Sequence, residues 1–437
     1  MLATLKMPKI LTCYKHFQIF VLGMYSGMPL AVIYVSLAAW LKDFNVDLAI
    51  ITSFAISRSF YSLKVLWAPI IDHIKIPVLG KIGHRKSWMI LCSASIAIIT
   101  FLMSNATPDI EISYVFTLAI ILGIASSTFD IVFDAFRIEM INDNEQAIAS
   151  ANVISGYRIG ILIAGAGALY VADIYGWDKA FLMLTLLHAI CIIFILTTNE
   201  PDIKRQKVDG ISIEGWDIMI IKPFKDFLSR DYALIILAAI IFYKLGDAYL
   251  GVVATPFYLE LGFTKSQIAA ITKVFGLIAT LAGCYLGGYV MYKFGSVRGM
   301  IICGIAQSVT NVSFIWLNHM GSDPVALAVA IAIENVAGGM GTTALVGYLS
   351  NLCNKQYSAT QYALLSSASG LASHILVISG GSLVNVMGWD LYFLMTVFLA
   401  LPGILLLLYL DKKINKTETL EKKTDPNATK SEFPSLG

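Results

Sequence analysis

The sequence predicts an all-α integral membrane protein of twelve spanning helices, arranged as two six-helix halves related by a pseudo-two-fold along the membrane normal. Three observations predict it. The 437 residues are 57% hydrophobic and 14% charged, with a mean hydropathy of +0.74, whereas soluble domains carry nearer a quarter charged residues. The apolar runs are about twenty residues long, enough to cross the hydrocarbon core as helices, and the short alternating segments of a closed barrel are absent. Finally, Gly176-Trp177-Asp178-Lys179-Ala180-Phe181-Leu182-Met183 returns as Gly388-Trp389-Asp390-Leu391-Tyr392-Phe393-Leu394-Met395, 212 residues later. The same offset carries Gly83 onto Gly295, as a duplicated half would.

In chain order, spans are expected near 16–41, 49–71, 87–104, 113–136, 147–172, 178–198, 232–257, 266–292, 299–318, 325–350, 359–385 and 390–410. The first run is already of membrane length, so no cleavable signal is expected. Residues 1–198 form the first bundle and 232–411 the second, joined by a polar connection over 199–231, with a tail at 412–437 expected to be disordered. Of the 31 lysines and arginines, 23 fall on the face that receives the N-terminus and the even-numbered connections, and three (Lys42, Lys179, Lys265) on the other. Basic residues stay inside, so both termini are expected in the cytoplasm. The six cysteines show no paired spacing and read as small apolar packing residues.

The five remaining cations lie within spans, and the placement of intramembrane charge is the main functional signal. Arg58 and Lys64 fall in the second span, Asp130 and Asp134 in the fourth, Arg158 in the fifth, Lys244 and Asp247 in the seventh, Lys273 in the eighth, Glu334 in the tenth and His374 in the eleventh. Beyond their first two residues, spans three, nine and twelve carry no charge, and span six only His188, as lipid-facing helices would. Charge inside a bilayer is costly unless it faces a wet cavity or a partner. Asp130 and Asp134, four apart, share one helix face, while Lys244 and Asp247, three apart, can pair. Asp130, Asp134, Asp247 and Glu334 are therefore the candidate proton-coupling carboxylates, although Asp130 equally suits a fixed pair with an arginine. Arg158 and Lys244 suit a substrate carboxylate or an internal pair, and Tyr157, Gln307, Asn311 and Gln361 offer neutral polar groups.

The second-to-third connection holds Trp67-Ala68-Pro69-Ile70-Ile71-Asp72 and then Gly83-His84-Arg85-Lys86. It resembles the gate signature of major facilitator transporters, whose parallel repeat also matches the 212-residue offset. Extra residues containing Pro77 separate its two parts, so the gate geometry must differ. Asp72, Arg85, Lys86 and Arg137 are the candidate gating residues, and retention of cytoplasmic positive charge is the other reading of Arg85 and Lys86.

More closely, the chain resembles the AmpG muropeptide permeases of the major facilitator superfamily. The resemblance runs over essentially all spans. It is carried by Ser26-Gly27-Met28-Pro29-Leu30, Leu63-Lys64-Val65-Leu66-Trp67-Ala68-Pro69, Asp130-Ile131-Val132-Phe133-Asp134-Ala135 and Gly156-Tyr157-Arg158-Ile159-Gly160. It continues in Tyr243-Lys244-Leu245-Gly246-Asp247-Ala248, Glu334-Asn335, Gly338-Gly339-Met340-Gly341-Thr342, Leu352-Cys353-Asn354-Lys355 and Ser358-Ala359-Thr360-Gln361-Tyr362-Ala363-Leu364-Leu365-Ser366. One departure is Phe129, where the family pattern has a polar glutamine before the aspartate. The resemblance implies proton-coupled import of anhydro-muropeptides (GlcNAc-anhydroMurNAc peptides) across a bacterial inner membrane for peptidoglycan recycling. The expected unit is a monomer in the lipid bilayer, with no cofactor, metal or nucleic acid. Import of another anionic metabolite, such as an acyl-CoA-like solute, is the alternative. An enzyme is disfavoured, because no nucleophile–base or metal-ligand spacing occurs.

Overall fold

The computed structural model describes residues 14–201, 203 and 220–424, with the side chains of 273–274, 371–375 and 415–424 outside that description. Lys273 and His374 therefore lie outside the described side chains. Every long element is helical: α1 (Tyr14–Asp43), α2 (48–73), α3 (His84–Ser104), α4 (Ile112–Met140), α5 (Asp143–Tyr175), α6 (Trp177–Thr197), α7 (Ala233–Glu260), α8 (Lys265–Phe294), α9 (Ser296–Met320), α10 (Pro324–Leu352), α11 (358–387) and α12 (389–424).

Among the described residues, ten helical stretches are long and apolar enough to cross a membrane, two fewer than the twelve expected. The difference has two local causes. Helix α2 is broken into Leu48–Ser53, Ile56–Leu63, the 3₁₀ turn Lys64–Leu66 and Ala68–His73, with Pro69 opening the last piece, so no part reaches spanning length. The start of α11 is crowded with Ser358, Thr360, Gln361, Ser366 and Ser367, which makes it too polar for an ordinary spanning stretch. Its end runs on into α12 through Gly388, whose φ of 75° marks a sharp kink inside an otherwise continuous helix. At the C-terminus α12 continues to Thr424, past residue 412 where the tail was expected to begin, and 425–437 lie outside the described residues.

The 212-residue repeat extends from sequence to helix boundaries. Helices α4 and α10 both have 29 residues and begin at Ile112 and Pro324. The 3₁₀ turns Asp143–Glu145 and Lys355–Tyr357 follow them at that offset. Left-handed glycines separate neighbouring helices in both copies, Gly176 and Gly388 at φ 91° and 75°. Only glycine adopts that backbone without strain, which explains why these glycines recur.

Contacts divide the chain into two compact units. Met1–Asn142, Asn152–Pro223 and Cys353–Ser367 form one, and Asp143–Ala151, Phe224–Leu352 and Ala368–Gly437 the other. In the first unit α1 and α5 approach along glycines on both helices. A Cβ on Gly27 would stand 2.3 Å from the Tyr157 carbonyl oxygen, and one on Gly160 2.0 Å from that of Met24. Small residues spaced four apart allow such close backbone contact in lipid, where van der Waals packing holds helices together. Wide π turns at Val32–Ser36 of α1, just after Pro29, and at Ile163–Gly167 of α5 meet, and Ser36 Oγ donates to the Ala164 carbonyl at 2.8 Å. Outward, α6 leaves Leu186, Ile190, Ile193 and Leu196 exposed on one stripe, the face an acyl chain would cover.

The second unit has glycine packing between α8 and α10 instead. A Cβ on Gly283 would lie 2.1 Å from the Val336 carbonyl oxygen, and one on Gly339 2.4 Å from that of Thr280. Near the ends of α7 and α9 and the start of α12, Phe257, Phe314, Trp389 and Phe393 pack as an aromatic cluster, with Phe257 and Phe393 centroids 4.8 Å apart. Such rings bury large apolar area with defined edge-to-face geometry.

Candidate substrate and gating sites

Lys64 lies at the break in α2, and the 3₁₀ turn brings its ammonium across to α4. There Nζ meets Asp130 Oδ2 at 2.6 Å, and Ser26 of α1 donates to Oδ1 at 3.1 Å. The side chains are 9% and 17% exposed, so the pair is largely dry. The fixed partner anticipated for Asp130 was an arginine; it is a lysine, because the α2 break presents Lys64 at this level. Around the pair, Tyr61 shares a short hydrogen bond with Ser126, and Trp67 Nε1 donates to Thr128 Oγ1 at 3.1 Å. Phe129 is buried and stacks with Phe133, 6.4 Å between centroids, so it serves the apolar side of α4 while Asp130 serves the polar side.

Arg158 is exposed and makes no salt bridge among the described residues, whereas Arg58 is braced over the Tyr34 ring at 4.1 Å. Tyr157, one residue before Arg158, is half-buried against α1. Among the described residues of these spans, Arg158 thus has no salt bridge, while Lys64 is paired with Asp130. A ligand carboxylate could engage Arg158 directly, and Lys64 only by competing with Asp130.

The second unit holds the anticipated local pair. Lys244 sits where α7 is interrupted, and its Nζ contacts Asp247 Oδ2 at 2.8 Å and Thr342 Oγ1 of α10 at 3.0 Å. Glu334 accepts from Asn335 Nδ2 at 2.9 Å, and Thr280 of α8 donates to Asn335 Oδ1 at 2.7 Å. The neutral amides are placed differently from expectation. Gln361 is fully buried and clamps backbone, accepting from Asn354 N at 2.7 Å and donating to the Pro223 carbonyl at 3.1 Å. Asn311 is buried and donates to Thr396 Oγ1 at 3.0 Å between α9 and α12. Gln307 is buried against Gly341, with neither side-chain polar atom hydrogen-bonded among the described residues. All three pack between helices or hold a loop.

Three of the expected gating residues, Asp72, Arg85 and Lys86, share one end of the first unit. Arg85 is wholly buried at the start of α3, with Nη2 2.6 Å from Asp72 Oδ1 and 2.7 Å from Glu139 Oε1. Asp72 in turn accepts from the backbone amides of Ala359 and Thr360 at 3.2 and 2.8 Å and from Thr360 Oγ1 at 2.6 Å, capping the N-terminus of α11. A carboxylate at a helix N-terminus satisfies unpaired amides and faces the positive end of the macrodipole. Ser358 Oγ also donates to Glu139 at 2.7 Å. Lys86 plays another part: its Nζ caps the end of α6 through the carbonyls of Leu196 and Thr198 at 3.2 and 2.8 Å. Glu200 reciprocates by accepting from the amides of Arg85 and Lys86. Arg137 pairs with Asp134 at 3.2 Å and lies over the Tyr362 ring of α11 at 5.5 Å. Glu139 and Glu200 were not anticipated. Glu139, two residues beyond Arg137 at the end of α4, was the readable signal; Glu200 lies 115 residues from the amide it caps and had none.

A helical membrane protein with paired charge inside two units is the layout of a solute carrier rather than an enzyme, and the comparisons agree. The family model for the Major Facilitator Superfamily matches residues 19–255 and 235–434. A Rickettsia conorii protein assigned as transporter AmpG 4 is 53% identical over 413 residues, covering 94% of this chain and 100% of that one. The Escherichia coli K12 anhydromuropeptide permease is 33% identical over 391 residues, covering 89% and 78%. Among solved structures, the human organic anion transporter MFSD10 superposes with TM-score 0.69 at 13% identity, covering 90% of this chain and 98% of that one, which is likeness of fold alone. The chain belongs to the major facilitator superfamily and, within it, to the AmpG permease family. It is a multi-pass membrane transporter and not an enzyme.

Proposed function

We propose that this transporter imports anhydro-muropeptides into the cytoplasm in symport with protons. The observation that carries the reading is the Lys64–Asp130 pair, buried between apolar helices. Protonating Asp130 dissolves its attraction for Lys64 and frees an ammonium for a peptide carboxylate, so cargo and proton favour the same state. Exposed Arg158 supplies the first capture of that carboxylate, and Tyr157 a ring edge for the sugar. Lys244, Asp247 and Glu334 are the proposed counterparts in the second unit, and Asp134 a reserve proton site. The bundles 1–198 and 232–411 would expose the site to each side by turns, with the Asp72–Arg85–Glu139 cluster, Lys86 and Arg137 bracing the gate. In this reading the protein acts as a monomer in a bacterial inner membrane, both termini cytoplasmic, and serves peptidoglycan recycling. For the cargo, the support is the relationship to the E. coli permease named for anhydromuropeptides.

The test is uptake of labelled GlcNAc-anhydroMurNAc-peptide into proteoliposomes with and without an imposed proton gradient. Accumulation above the external concentration, abolished by a protonophore, is the expected result. Equal uptake under both conditions would remove proton coupling, and no uptake beside a transported acyl-CoA would reassign the cargo.

A further inference from the structure

The loop between α2 and α3 contains the residues that interrupt the gate signature, and neither site above uses them. We propose that this loop and the pocket behind it bind the phosphate headgroup of an anionic phospholipid. The pocket, in the first unit, has a volume of about 580 Å³ and is lined by His73, Lys75, Lys81, His84, Lys86 and Glu200, among others. Its charges are unevenly committed. Lys86 is held by two carbonyls and Glu200 by two backbone amides. Lys75 and Lys81 are exposed and form no salt bridge among the described residues. The charge left to attract a ligand is therefore positive.

Apolar side chains in the same loop point to the source of the phosphate. The run Ile74-Lys75-Ile76-Pro77-Val78-Leu79-Gly80-Lys81-Ile82 leaves Ile74, Val78 and Ile82 45%, 82% and 45% exposed. On a connection between membrane helices, open aliphatic groups interleaved with lysines fit the boundary where acyl chains meet headgroups. Trp88, in the second turn of α3, donates from Nε1 to the Ile74 carbonyl at 2.9 Å and fixes the loop at the depth where indoles concentrate. The turn is built in advance: Leu79 N bonds the Pro77 carbonyl at 2.7 Å and Gly80 N that of Ile76 at 2.8 Å. Lys75 lies across Gly80, where any Cβ would come within 2.6 Å of its Cγ. A soluble phosphate would use the lysines but not the exposed Ile and Val. The three aliphatic side chains and the two cations together select a lipid.

Binding of radiolabelled phosphatidylglycerol to the purified full chain in uncharged detergent tests this independently of cargo. Lys75→Gln and Lys81→Gln should each weaken it about fivefold, the change equivalent to about 1 kcal/mol per basic residue at an anionic surface. Lys412→Gln, an exposed cation outside the pocket, should leave it unchanged. Unaltered phosphatidylglycerol binding by the Lys75→Gln/Lys81→Gln double variant, at an unchanged melting temperature, would overturn the proposal. So would equally tight binding of zwitterionic phosphatidylcholine. Displacement by millimolar glycerol phosphate would keep the phosphate site but overturn its assignment to lipid.

Discussion

Two lysine–aspartate pairs, one in each unit, are built on opposite principles. Lys64 and Asp130 are 66 residues apart and join α2 to α4, whereas Lys244 and Asp247 are three apart within α7. The first pair exists only if two helices meet in one register, so its rupture alters helix contact as well as charge. The second forms whenever α7 is helical, and Thr342 merely adds a neighbour from α10. The first pair is also drier, its side chains 9% and 17% exposed against 17% and 24%. A buried pair between elements resists the loss of one partner, because the survivor is left charged in low dielectric. A local pair on one helix contributes little by itself.

The contrast gives its largest expected effect in transport. Asp130→Asn should reduce gradient-driven accumulation to the level of passive equilibration, while Asp247→Asn retains part of it; full uphill uptake by Asp130→Asn would reverse the ranking. Next comes packing. Gly27→Ala places a methyl 2.3 Å from a carbonyl oxygen and should destabilise the protein by about 2 kcal/mol, whereas Gly251→Ala, with nothing within 4 Å, should stay within about 0.5 kcal/mol. Detergent melting temperatures measure both, and equal shifts would show that the α1–α5 contact yields freely. A double-mutant cycle sharpens the pair comparison directly. Coupling of about 2 kcal/mol is expected between Lys64 and Asp130, and about 0.5 kcal/mol or less between Lys244 and Asp247. Similar couplings would mean that spanning two helices adds nothing. The smallest effect on stability belongs to Arg158→Ala, which has no salt bridge to lose among the described residues. It should raise the uptake KM about tenfold, the loss of one charge-assisted hydrogen bond, at constant melting temperature. An unchanged KM would remove Arg158 from carboxylate capture.

Much of this molecule is set by pattern. Apolar run length specified helices, because a backbone in lipid must satisfy its own hydrogen bonds. The 212-residue repeat in sequence returned as matched boundaries for α4 and α10 and as left-handed glycines at Gly176 and Gly388. The Lys244–Asp247 pair was legible for the same reason, since helical spacing alone brings its members together. Tertiary structure decided whatever depends on register between distant segments. It chose Lys64 over an arginine for Asp130, added Glu139 to the Arg85 cluster, and brought Glu200 to the first amides of α3. It also enclosed Gln307, Asn311 and Gln361 in packing, though their composition suited a sugar site equally well. Polarity along a chain says which groups need a partner. Only the fold, by bringing residues scores of positions apart within three ångströms, says which partner each receives.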